Sequence, residues 1–116
     1  MDNESCDVLV IGAGPAGSVA AAMMHRAGFN VRVVEKEKFP RFVIGESLLP
    51  RCMEVLEDAG LLEVVKAKNF QKKFGAKFLK GTKVADFNFS EQHTDGWTWT
   101  WQVPRAEFDA ARARAV

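Results

Sequence analysis

Six residues near the start of the chain, Gly12-Ala-Gly14-Pro-Ala-Gly17, constrain its fold more than any other feature. A GxGxxG string alone is weak, because small residues gather in many turns. Its neighbours make it specific. It follows a short apolar run, Asp7-Val-Leu-Val-Ile11, which reads as a strand buried on both faces. After it, Ala16, Val19, Ala20, Met23, Met24 and Ala27 recur at helical spacing, and Gly28 stops the helix as a left-handed cap. Val31-Arg-Val-Val-Glu35 reads as a second strand. Strand, helix and strand in so short a span form a parallel, right-handed βαβ unit.

Each residue type has a physical use in such a unit. Gly12 makes the tight turn, Gly14 lets backbone approach a pyrophosphate, and Gly17 lets helix and strand pack closely. Pro15 suits the first helical turn, where its missing N–H costs nothing, and Ala16 follows it. The helix N-terminus offers free N–H donors and a partial positive charge to a phosphate. Glu35, with Lys36 beside it, stands where a carboxylate accepts hydrogen bonds from a ribose diol. An acid there disfavours the 2′-phosphate of NADP. NAD and FAD share the fingerprint, and both stay open at this point.

Composition excludes several classes. Of 116 residues 47% are apolar and 27% charged, which suits a soluble globular domain. Sixteen basic residues against 15 acidic ones give a net charge of +1, so there is no electrostatic case for nucleic acid or an anionic membrane. The apolar stretch from Val8 to Met24 is too short to span a bilayer. It is broken by Gly12, Gly14, Pro15, Gly17 and Ser18, and acidic Asp2 and Glu4 precede it. Cys6 and Cys52 form no CxxC pair and read as free thiols, so a cytoplasmic protein is expected. His25 and His93 are isolated, and no spacing supports a metal site or a triad.

Lys36 to Gly45 reads as a loop, after which Ser47 is placed to cap a helix with Leu49, Cys52, Met53 and Leu56 on one face. Gly60 ends that helix, and Leu61 to Ala67 is a short amphipathic segment. Ala76 to Leu79 and Val84 to Phe89 read as strands around a Gly81-Thr82 turn, and Trp97 to Val103 alternates strictly. Phe108 to Ala115 looks helical. The expected class is α/β, a Rossmann-like βαβ domain with a parallel sheet and a partial antiparallel β portion from about residue 76. Residues 1–116 read as a single domain, with 1–60 the dinucleotide-binding core and 61–116 a partial connection to a substrate domain.

Pro40-Arg-Phe-Val-Ile-Gly-Glu-Ser-Leu-Leu-Pro50, together with GAGPAG, resembles the superfamily of flavin-dependent halogenases, geranylgeranyl-reductase-like proteins and aromatic hydroxylases. The resemblance implies FAD, with its ADP half on Gly12, Gly14, Gly17 and Glu35 and with Gly45, Glu46 and Ser47 near the flavin. It implies that Arg41 contacts the cofactor, and a guanidinium suits a pyrophosphate or ribose. For Ser47 two readings stand, helix cap and flavin contact. Arg105-Ala-Glu-Phe-Asp109 resembles the family's RxxFD element, whose arginine lies beside the ribityl chain, and Gln102 sits on the strand leading into it. The family pattern continues into a helix with a leucine, whereas Ala110-Ala-Arg-Ala-Arg-Ala-Val116 is rich in alanine and arginine.

Lys73-Phe-Gly-Ala-Lys-Phe78 resembles the halogenase segment whose catalytic lysine holds or protonates hypohalous acid. Lys73 is either that lysine or one of a solvated basic stretch with Lys72, Lys77 and Lys80. Trp99-Thr-Trp-Gln-Val-Pro104 mimics the WxWxIP motif of halogenases, but it runs straight into RxxFD and reads as a strand with one aromatic face. The family's enzymes are several times longer, so the sequence reads as a fragment of one. The implied reaction is a redox step by reduced FAD on a small-molecule or carrier-bound organic substrate. Three readings stand: a reductase-like or hydroxylase-like oxidoreductase, a halogenase, and a truncated nucleotide-binding module without activity. Substrate, electron donor and oligomeric state are not legible.

Overall fold

The computed structural model describes residues 4–92 and 95–115, and His93 lies outside them. Strands β1 (Val8–Ile11) and β2 (Val31–Val34) pair in parallel, from Val8 opposite Val31 to Ile11 opposite Val34. Helix α1 (Pro15–Arg26) connects them. It stops where Gly28 takes φ +96°, so that the Phe29 N–H reaches the Met24 carbonyl at 3.2 Å.

Burial departs from expectation at two places. Most of the apolar stripe of α1 does not face the core: half-buried Val19 packs against it, but Met23 and Met24 are exposed, and Ser18, Ala21 and Ala22 are buried. The cause is close approach, since α1 lies between the β1–β2 pair and helix α4 (Arg105–Ala115), where only small side chains fit. Nor is β1 buried on both faces. Val8 and Val10 are half-buried toward α1, while Leu9 is exposed and Ile11 is 82% exposed on the opposite face.

The apolar core lies where α1 meets helices α2 (Arg51–Asp58) and α3 (Leu62–Lys66), the β6 strand (Thr100–Gln102) and α4. Met53, Leu56, Val65, Trp101, Val103 and Phe108 form it together with Ala22. Met53 is completely buried, and truncating such a residue to alanine typically costs about 2–5 kcal/mol. Helix α2 starts after Pro50, not after Ser47, and no side chain caps it. Leu49 precedes the helix and is exposed. Gly60, at φ +74°, closes α2 through a Leu61 N–H to Leu56 carbonyl bond of 2.8 Å.

A short strand β3 (Gln71–Lys73), absent from the sequence reading, pairs antiparallel with β6. Its three polar residues carry no alternation that could reveal it. The Trp97 to Val103 segment pairs only over β6, and Trp97, Trp99 and Trp101 stack edge-to-face at 5.4 and 5.3 Å. Strands β4 (Gly75–Lys80) and β5 (Lys83–Asn88) form the expected hairpin around Gly81-Thr82 and, among the described residues, pair only with each other. Helix α4 begins at Arg105 instead of Phe108. The whole is mixed α/β, with a parallel pair followed by antiparallel strands. Among the described residues no helix is long and apolar enough to cross a membrane.

Candidate functional site

The turn between β1 and α1 is held by backbone geometry that glycine alone supplies. Gly12 has φ +102° and donates its N–H to the Val34 carbonyl at 2.7 Å. A Cβ on Gly17 would sit 1.8 Å from the Gly12 carbonyl oxygen, so helix and turn meet backbone to backbone. Buried Ser18 locks the turn further, its hydroxyl donating to the Ala13 carbonyl at 3.0 Å. Gly14 occupies the cap position and Pro15 the first helical position, and no side chain caps the helix. The N–H groups of Ala16 and Gly17 therefore remain for an anion.

Glu35 is tied to the same turn. Its carboxylate accepts from the Ala13 N–H at 3.0 Å and from the Glu37 N–H at 2.9 Å. These backbone bonds, Ala13 first, hold it ionised below the usual carboxylate range, with the Arg41 charge adding to them. Ile11, Gly12, Val34, Glu35 and Lys36 line an open cavity of about 530 Å³. Lys36 is exposed at its rim.

A second cluster joins the loop after β2 to helix α4. Asp109 is fully buried, and three guanidiniums converge on its carboxylate. Arg105 grips it with two parallel bonds, Nε to Oδ1 at 2.9 Å and Nη2 to Oδ2 at 3.0 Å. Arg41 donates to Oδ2 and Arg112 to Oδ1. Burial pushes the Asp109 carboxyl up, but the Arg105 and Arg41 hydrogen bonds and the Arg112 charge outweigh it and leave the group below the ordinary range. Arg41 flanks the glycine turn, its Nη2 lying 3.6 Å from where a Gly14 Cβ would stand. Arg105 also donates to the Ile44 and Gly45 carbonyls at 3.3 and 3.2 Å. Gly45, at φ +105°, leaves room for that guanidinium.

The segment from Gly45 to Ser47 runs along β6. The Val103 N–H donates to the Glu46 carbonyl at 2.8 Å, and Ser47 forms an isolated antiparallel bridge with Gln102. Ser47 does not cap α2; its hydroxyl accepts a hydrogen bond from the Lys73 ammonium. Lys73 also donates to the Leu48 carbonyl at 3.2 Å and lies 5.5 Å from the centre of the Phe89 ring. This half-buried lysine differs from exposed Lys72, Lys77 and Lys80. The Gln102 side chain is exposed.

The structure thus gathers the expected residues into three groups. One is the glycine turn with Glu35, another Arg41 and Arg105 on Asp109, and the third Ser47 with Lys73 and the Gln102 backbone. In the sequence Asp109 only closes the RxxFD element and Arg112 only departs from the family pattern. Their spacing on one helix, i and i+3, was the available signal.

Residues 5–112 match the family described as FAD binding domain. The chain belongs to that family. As an FAD binding domain it takes FAD as its cofactor. It is 42% identical over 105 residues to a tryptophan 2-halogenase of Chondromyces crocatus, covering 90% of this chain and 20% of that protein. With a 1H-pyrrole-2-carbonyl-(peptidyl-carrier protein) chlorinase of Pseudomonas fluorescens it shares 35% identity over 127 residues, 94% of this chain and 28% of the relative. A crystal structure of a flavoprotein/dehydrogenase from Cytophaga hutchinsonii superposes with a TM-score of 0.90 at 65% identity, over 97% of this chain and 28% of that one. The chain therefore spans between 20% and 28% of the length of these relatives.

The residues present fit the cofactor. An uncapped helix end beside a guanidinium suits a pyrophosphate, and an ionised Glu35 beside the cavity suits a ribose.

Proposed function

We propose that this FAD binding domain holds FAD for an oxidoreductase acting on a small organic substrate, free or carrier-bound. The Asp109 cluster is the observation that carries this reading. One buried carboxylate fixes Arg41 beside the glycine turn and Arg105 beside Gly45, so the dinucleotide meets a guanidinium at two places. When bound, FAD supplies the redox chemistry, and the chain supplies position and charge.

In this reading Gly12, Gly14, Pro15, Ala16 and Gly17 hold the pyrophosphate on the end of α1, and Glu35 with Lys36 takes the adenosine ribose. Arg41 contacts the pyrophosphate. Arg105, Gln102 and the Gly45, Glu46 and Ser47 segment serve the flavin side. Residues 1–60 are the nucleotide core, and 61–116 lead from it toward the substrate. The 65% identity to a flavoprotein/dehydrogenase supports a reaction other than halogenation. A titration of the purified protein with FAD and with NADH tests the site: tight FAD binding is expected, and tight NADH binding without FAD binding would overturn it.

A second reading, halogenation, is favoured by the placement of Lys73. Ser47 and the Leu48 carbonyl take two of its three N–H donors, which leaves one for the oxygen of a hypohalous acid. The names of the halogenase and chlorinase relatives support this reading as well. The natural full-length protein, given reduced FAD, oxygen, chloride and a panel of electron-rich aromatic compounds, separates the two. Flavin reoxidation without chlorinated product is expected on the first reading, and chlorinated product establishes the second.

A further inference from the structure

Arg112 is fully buried on α4. Its Nη2 donates to Asp109, its Nε donates to the Phe108 carbonyl at 3.3 Å, and its guanidinium lies 4.0 Å from the centre of the Phe108 ring. The remaining nitrogen, Nη1, is buried and has no hydrogen-bond partner among the described residues. Three guanidiniums, Arg41, Arg105 and Arg112, thus share one buried carboxylate. Among the described residues the one other acid paired with them is half-exposed Glu37, 3.4 Å from Arg41. The cluster carries more positive than negative charge in a place with little water. Burial, chiefly, pushes the Arg112 guanidinium down to about 10, and the charges of Arg105 and Arg41 act in the same direction against the pull of Asp109. It stays charged at neutral pH. A buried cation that served folding alone would have its donors filled and its charge balanced. Arg112 has neither.

We propose that Arg112 is a positioning residue for FAD: by sharing Asp109 it leaves Arg41 and Arg105 under-neutralised, and the cofactor's pyrophosphate supplies the missing negative charge. The inference rests on the FAD-binding reading above. Its consequence is a trade, in which the charge excess lowers the stability of the cofactor-free protein and raises affinity for the anion.

The test compares Arg112→Met and Arg112→Leu with wild type in the natural full-length protein. Three quantities are measured: the melting temperature without cofactor, the FAD dissociation constant at low and high salt, and the dissociation constant for inorganic pyrophosphate. Without cofactor, both variants should melt at or above the wild-type temperature. They should bind FAD about three- to tenfold more weakly, as loss of one charge at short range predicts, with a flatter salt dependence. Lower melting temperatures in both variants, or failure of both to fold, would show a packing role and overturn the proposal. FAD affinity within about twofold of wild type, with unchanged salt dependence, would overturn it too. A wild type that binds no FAD overturns the cofactor reading instead, and pyrophosphate binding then decides the role of Arg112 by itself.

Discussion

The ammonium of Lys73 donates to the hydroxyl of Ser47, which fixes one lysine of a basic stretch against the loop that follows Gly45. On the halogenase reading, Lys73→Ala should abolish chlorinated product. Ser47→Ala should lower it about ten- to a hundredfold by releasing the ammonium from its position. FAD affinity and flavin reduction should survive Lys73→Ala. Chloride incorporation and flavin reoxidation are measured on the same samples. Undiminished chlorination by Lys73→Ala would remove the lysine from the chemistry.

Glu35→Ala should weaken FAD binding by about tenfold, because a ribose hydroxyl pair loses a charged acceptor. Glu35→Gln should cost less, since its carbonyl can still accept from Ala13 or Glu37. Fluorescence titration of the two variants against wild type gives the comparison. Equal affinity in all three would mean that Glu35 only braces the turn.

Gly17→Ala sets two effects against each other. Alanine favours a helix interior by about 1 kcal/mol over glycine. Its Cβ, however, would stand 1.8 Å from the Gly12 carbonyl oxygen, and relieving such a clash costs about 1–3 kcal/mol. The clash wins because backbone, not a flexible side chain, must move. Urea unfolding should therefore show a net loss of stability, and a gain would refute the close approach of α1 to the turn.

Asp109→Asn should cost about 3–5 kcal/mol, the usual result of removing one partner from a buried ion cluster. The folded carboxyl titrates below its unfolded value. Its contribution is thus fully present above the ordinary Asp value of about 3.9 and fades as pH falls from there toward the lower folded value. Wild type should lose its advantage over Asp109→Asn across that acid window, read from melting temperatures of both proteins. A difference that stays constant down through the window would show that the carboxylate charge contributes nothing.

The βαβ unit was legible because its signals are local: Gly12 and Gly28 take the positive φ their positions demand, and the strands bracket the helix as spacing requires. Burial was less legible, because helical periodicity ranks Met23 and Met24 above Ser18 and Ala21. Close packing between a strand pair and α4 reverses that rank. Ser47 reads as a cap from its residue type, but the polar partner that claims it, Lys73, is far away in sequence. Strand β3 and the contact of Arg41 with Asp109 are likewise long-range events, whereas Arg105 and Arg112 lie within four residues of that carboxylate. No window of sequence contains both Arg41 and the carboxylate that holds it.

Because Asp109 holds both Arg41 and Arg105, the loop after β2 and the first turn of α4 should open as one unit. Neither Arg41 nor Arg105 can leave without stripping a buried carboxylate of a partner, so a partial opening leaves charge stranded. Amide hydrogens that α4 protects should therefore exchange on the same timescale as the Gly12 N–H, which the glycine turn holds on Val34. With FAD held as proposed, on Arg41 at one place and Arg105 at another, its release should be all-or-none along its length, with no stage at which one end swings free while the other stays bound.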